Sequence, residues 1–90
     1  MTERAGEPDP APAVTVVVVN FNAGRHLEAC LASLARQTFM DFETILIDNA
    51  SSDGSLDAIG EAPARLTLLR QERNLGFAAA NNLGARMGRG

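Results

Sequence analysis

Ninety residues with 46% hydrophobic and 21% charged side chains bound the chain at one small globular domain with a modest core. A net charge of −3, with every basic residue an arginine, gives no electrostatic basis for nucleic acid or an anionic membrane surface as partner. The single cysteine, Cys30, excludes an internal disulfide and suits a reducing compartment.

Residues 1–13, MTERAGEPDPAPA, are polar and carry Pro8, Pro10 and Pro12. That composition predicts a disordered or extended tail. It has no hydrophobic region, so it does not read as a signal peptide. No apolar run reaches the length of a membrane span, and a cytoplasmic location is expected.

Val14–Val19 (VTVVVV) is β-branched without clean alternation, which predicts a central strand buried on both faces. Asn20, Phe21 and Asn22 end it, and Ala23-Gly24 turns the chain. Over Arg25–Gln37, Leu27, Cys30, Leu31 and Leu34 fall at i, i+3, i+4 and i+7. This predicts an amphipathic helix with Cys30 as a small core residue on its stripe. The connector Gln37–Phe42 is expected to tuck Phe39 and Phe42 under the sheet. Phe42–Ile47 reads as a second strand that ends at Asp48 and Asn49. Asp53-Gly54-Ser55 then predicts a short helix to about Gly60, with Ser55 as its N-cap. After Pro63, Arg65–Arg70 reads as a third strand. Glu72–Gly76 is a loop, and Phe77–Met87 a helix whose Ala78, Ala79, Ala80 and Gly84 permit close packing. The order β-α-β-α-β-α calls for parallel strands with right-handed crossovers, an α/β fold.

Parallel, adjacent strands would open the loops at 20–24, 48–55 and 72–77 along one edge, where ligands bind in open α/β sheets. There Phe21 offers a stacking face, Asp48 or Asn49 edge or sugar-hydroxyl contacts, and Arg73 a phosphate partner. This set suits a planar, hydrogen-bonding ligand such as a nucleobase. Each residue also has a plainer role: Phe21 in helix packing, Asp48 in an Asx turn, Asp53-Gly54 in a turn, and Arg73, Asn81 and Asn82 as solvated surface. A Rossmann dinucleotide-binding unit fits the acid after the second strand. It does not fit N-F-N-A-G-R after the first, where G-x-G-x-x-G is required. A non-catalytic remnant or interaction module is the other alternative, with an exposed sheet edge and apolar face.

Four motifs in order carry a more specific signal: V-T-V-V-V-V-N-F-N, A-C-L-A-S-L-A-R-Q-T, F-E-T-I-L-I-D-N-A-S-S-D-G-S and R-N-L-G-F-A-A-A-N-N-L-G. Together, over about residues 14–88, they resemble the start of family 2 glycosyltransferases of the GT-A fold. The nearest likeness is to the rhamnosyltransferase and galactofuranosyltransferase-like branch. The resemblance implies a partial GT-A (Rossmann-like) three-layer domain over residues 14–90. It also implies transfer of a sugar, with inversion, from a UDP- or dTDP-sugar to an acceptor hydroxyl. Phe21 takes the position of the aromatic that stacks on the base, flanked by Asn20 and Asn22. Asp48 and Asn49 take the positions of an acidic pair that meets the base or ribose, and the amide at 49 leaves the choice of base open. Asp53 is implied as a support for its loop, and Asn74, Gly76 and Asn81 as lining on the nucleotide side. Mg²⁺ or Mn²⁺ is implied for the full-length enzyme. Its D-x-D motif follows the N-N-L-G helix in the family and does not occur by Gly90. The expectation is therefore an N-terminal nucleotide-binding portion without metal ligands or catalytic base, inactive alone. Any membrane association would come through other parts.

Overall fold

The computed structural model describes residues 11–57 and 59–90, so most of the proline-rich tail expected at 1–13 lies outside the described residues. Five elements follow in order: β1 (Val14–Asn20), α1 (Arg25–Ala35), β2 (Phe42–Asn49), β3 (Leu66–Gln71) and α2 (Phe77–Met87). The strands form one sheet in the order β1-β2-β3, parallel throughout. Register runs from Val14 opposite Phe42 to Asn20 opposite Asp48, and from Thr44 opposite Leu66 to Asn49 opposite Gln71.

Alternation along the strands sorts the apolar side chains onto two faces. On one, Val18, Leu46 and Leu66 meet Leu27, Leu31 and Leu34 of α1. On the other, Val17, Val19, Ile45, Ile47 and Leu69 meet Ala80 and Leu83 of α2. The result is helix, sheet, helix, with β2 buried along nearly its whole length. Among the described residues the central, doubly buried strand is β2 and not β1 as expected: β1 pairs there with β2 alone and is half-buried over most of its length. Ordered contacts begin before β1: Pro12 is buried, and the Ala13 N–H donates to the Asp41 carbonyl at 3.2 Å.

The crossover between β2 and β3 departs from the expected helix at Ser55–Gly60. Among its described residues there are only turns, with the Asp57 N–H on the Gly54 carbonyl at 3.0 Å and the Ile59 N–H on the Leu56 carbonyl at 3.4 Å. A stretch this short between Gly54 and Gly60 does not repay helix nucleation. Leu56 and Ile59 pack instead on the Leu27–Leu31–Leu46 cluster. Two further expectations are corrected. Cys30 is exposed, because the stripe of α1 that meets the sheet is narrow and centred on Leu27, Leu31 and Leu34. Phe39 is 53% exposed, while Phe42 is buried at the start of β2.

α2 lies so close to β1 that a Cβ on Gly84 would come within 2.5 Å of Val17 Cγ1. At the other end of the sheet from the β2–β3 crossover's start, the Glu43 carboxylate accepts from Thr15 Oγ1 at 2.7 Å, Arg89 N at 2.5 Å and Gly90 N at 3.2 Å. These bonds, the Arg89 N–H first and the Thr15 hydroxyl second, hold its carboxyl below the usual carboxylate range. Among the described residues, no helix is long and apolar enough to cross a membrane.

One buried group in β2 lacks a partner: the hydroxyl of Thr44, a residue with no exposed surface. An unsatisfied buried hydroxyl carries a desolvation cost that an apolar isostere avoids. Thr44→Val is therefore expected to raise stability by about 1 kcal/mol, read as a higher urea midpoint at unchanged slope. A lower midpoint would show that the hydroxyl is satisfied in solution.

Candidate functional site

The C-terminal ends of the three parallel strands deliver their loops to one edge. At that edge the period of two separates neighbouring polar residues. Asp48 shares the face of Leu46 and points toward the α1 side, and Asn49 shares the face of Ile47 and points toward α2. Both are buried, at 3% and 1% exposure.

On the α1 side a bracing network joins the ends of β1 and β2. Asn20, fully buried and in register with Asp48, directs its amide nitrogen at Asp48 Oδ1 (2.8 Å), Ser55 Oγ (2.9 Å) and Ser51 Oγ (3.0 Å). Its Oδ1 accepts from Ala23 N at 3.2 Å, and Asp48 Oδ2 accepts from Ser51 N at 3.1 Å. Asn22 adopts a left-handed backbone, φ 52°, which asparagine tolerates better than most residues. Its Oδ1 accepts from Ser52 N (2.8 Å) and Asp53 N (3.2 Å), while its own N–H donates to Ser51 Oγ at 3.0 Å. Asp53 in turn accepts from Ser55 N at 2.9 Å and from Gly24 N at 3.0 Å, just before α1. The Ser55 hydroxyl and then its N–H hold the Asp53 carboxyl below the usual carboxylate range. Ser55 is thus a buried link between Asn20 and Asp53 and not the N-cap of a helix.

On the α2 side the Asn49 amide grips the β3–α2 loop. Its Nδ2 donates to the Gly76 carbonyl at 3.3 Å, and its Oδ1 accepts from Leu75 N at 3.4 Å. The Gly76 N–H donates to Asn74 Oδ1 at 2.8 Å. Gly76 has φ 85° and ψ 159°, a conformation open essentially to glycine alone, and it sets the direction in which α2 departs.

Between these two braces lies a cleft of about 330 Å³ lined by Val19, Phe21, Ala23, Asn49, Asn74, Gly76 and Phe77. Phe21 is 50% exposed there. Of the residues singled out from sequence, Phe21, Asn49, Asn74 and Gly76 line this cleft. Asn20, Asn22, Asp48 and Asp53 belong to the bracing network beside it. Asn81 lies one turn into α2, where its Nδ2 donates to the Phe77 carbonyl at 3.1 Å. Arg73 lines a neighbouring depression of about 550 Å³ with Arg70, Gln71, Glu72 and Leu75. Sequence reasoning missed Ser51 and Ser55 as acceptors. The spacing of both serines after Asp48, within S-S-D-G-S, was the available signal. It also missed Phe77 as a cleft-lining ring.

The carboxylates at this edge do not fit a metal centre. Both oxygens of Asp48 and both of Asp53 are already directed at N–H donors of the chain. Among the described residues, no three His, Cys, Asp or Glu side chains gather as ligands.

The description "Glycosyl transferase family 2" matches residues 15–90. The chain is 35% identical over 80 residues to the glycosyltransferase GlyG of Streptococcus pneumoniae, covering 86% of this chain and 27% of that protein. It is 33% identical over 82 residues to the uncharacterized glycosyltransferase EpsJ of Bacillus subtilis, covering 88% of this chain and 24% of that protein. A PGL/p-HBAD biosynthesis glycosyltransferase of Mycobacterium bovis is 45% identical over 47 residues, 52% of this chain and 18% of that protein. The chain therefore spans about a quarter, or less, of the length of these relatives. Among solved structures, the mannosyltransferase PcManGT of Pyrobaculum calidifontis, in complex with GDP-Man and Mn²⁺, superposes with a TM-score of 0.60 at 24% identity. That match covers 89% of this chain and 25% of the other, and it places the parallel sheet within the GT-A fold. With a family match that runs from β1 through α2 to the last residue, the chain belongs to glycosyltransferase family 2.

Proposed function

We propose that residues 14–90 supply the nucleoside end of the donor site in a longer glycosyltransferase. That enzyme would move a sugar from a nucleotide-diphospho-sugar to an acceptor hydroxyl. The bond to the leaving nucleoside diphosphate breaks at the anomeric carbon as the acceptor oxygen bonds to it from the opposite face and gives up its proton to a general base of the longer enzyme, so configuration inverts. The observation that carries this reading is Phe21. A half-exposed ring at the C-terminal edge of a parallel sheet lines a cleft beside buried polar strand ends. A ring held there offers a flat apolar face to a nucleobase. Asn74, an exposed residue that lines the cleft, supplies an edge or ribose donor through its amide. Asp48 and Asn49 act chiefly by fixing the two loops that form the cleft walls. The donor is assigned to the UDP- or dTDP-sugars of the rhamnosyl- and galactofuranosyltransferase-like branch. A divalent cation, Mg²⁺ or Mn²⁺, belongs to the longer enzyme, and its ligands are sought outside these residues.

An amide NMR titration of the 90-residue chain with UDP, dTDP and GDP tests the reading. Saturable shifts at Phe21, Asn49 and Asn74 are expected, and the tightest ligand names the donor base. A well-dispersed spectrum that ignores all three nucleotides would sink the proposal. The chain alone is expected to transfer no sugar, and product formed by purified material would overturn that part.

A further inference from the structure

Phe77 is the most exposed large apolar side chain among the described residues, at 73%, and the core makes no use of it. It lines the same cleft as Phe21. The two rings come from different loops, one after β1 and one after β3, and each loop is independently fixed. Phe21 follows Asn20, which is locked to Asp48, Ser51 and Ser55. Phe77 follows Gly76, whose carbonyl is held by Asn49 and whose N–H is held by Asn74. The Phe77 carbonyl also receives the Asn81 amide, which stiffens the first turn of α2. With its backbone held, Phe77 has only its two side-chain torsions left to fix on contact with a ligand, which keeps the ordering cost of binding low.

We infer that Phe77 is the second aromatic wall of the nucleobase subsite, closing on the ring face or edge that Phe21 leaves open. The ligand is a planar heteroaromatic base, and the inference rests on the nucleotide reading above. Aromatic contacts with a base tolerate any base, because each has a π-face. Phe77 therefore contributes affinity, and hydrogen-bonding groups such as Asn74 contribute selectivity.

The test compares UDP and dTDP affinity of the 90-residue chain with that of its Phe77→Ala and Phe77→Leu variants, by NMR titration, with Met87→Ala at the far end of α2 as control. Phe77→Ala is expected to weaken both nucleotides by about tenfold or more, the range of a lost base–aromatic contact. Phe77→Leu should recover only part, and Met87→Ala should match the unaltered chain. Uridine should shift the amides near both Phe21 and Phe77, and ribose 5-phosphate should shift neither group. Unchanged affinity in Phe77→Ala overturns the inference while the nucleotide reading stands. Full recovery in Phe77→Leu overturns it too, because any apolar side chain would then suffice. Failure of the unaltered, folded chain to bind either nucleotide overturns both.

Discussion

Asn20→Ala is expected to cost about 3 kcal/mol of stability. The side chain is fully buried and joins β1 to Asp48, Ser51 and Ser55 across 28 to 35 residues of sequence. Truncation removes those bonds together. It also leaves a buried Asp48 carboxylate facing an apolar methyl, with the Ser51 N–H as its remaining partner. Losing the partner of a buried charge costs more than the bond was worth, because the charge stays desolvated. Domains of this size hold only about 5–15 kcal/mol, so the variant should show a markedly lower urea midpoint. Asn20→Asp should be worse at neutral pH, since it sets a second carboxylate against Asp48 Oδ1. An unfolding free energy within about 0.5 kcal/mol of the unaltered chain for Asn20→Ala would show that water replaces the network at little cost.

The second large effect concerns packing. Gly84→Ala is expected to destabilise by about 2 kcal/mol, although alanine is the better helix former by about 1 kcal/mol. The added methyl meets both methyls of Val17, at 2.5 and 3.1 Å, so α2 must lift from β1 or Val17 must leave its rotamer. A paired experiment isolates the cause. In a Val17→Ala background the clash partners are gone, and Gly84→Ala should become neutral or stabilising. Thermal melts of the four proteins give the coupling directly. Additive effects would mean that the glycine serves backbone freedom and not close approach.

These two sites also show how far sequence reasoning reached. The helix over Phe77–Met87, with small residues for close packing, was legible because Ala80 and Gly84 fall one turn apart and both are buried. The parallel α/β character followed from strands separated by long connections. Which strand was central was not legible. Val14–Val19 is the more apolar of the two, with five apolar residues of six against four in Phe42–Ile47, and what separates them among the described residues is pairing with one strand or with two. The missing helix after Gly54 was masked by turn residues that open helices and plain crossovers alike. At the site, the residues named from the sequence lie along one edge but fall into two groups, those lining the cleft and those bracing the loops beside it. Asp48 and Asn49 look like a ligand-facing pair when read side by side. The alternation of the strand sends them to opposite faces, where each serves a different loop. Phe77 escaped notice because an aromatic at the start of an apolar helix resembles core.

The parallel order has a consequence for how the chain acquires its structure. No hairpin is available to start the sheet, since β1 meets its partner 28 residues downstream and β2 meets β3 22 residues downstream. Early local pairing is therefore impossible, and the ring-closure entropy must be met before any strand contact is gained. During synthesis the valine run of β1 emerges first and stays unpaired until Asn49 has cleared the exit. For that interval it is a short, uncharged, β-prone segment of the kind that self-associates. The Asn20–Asp48 contact, the last pair in the β1–β2 register, then serves as a checkpoint. A slip of one residue would put the asparagine on the α2 face and leave its amide without the acceptors that await it.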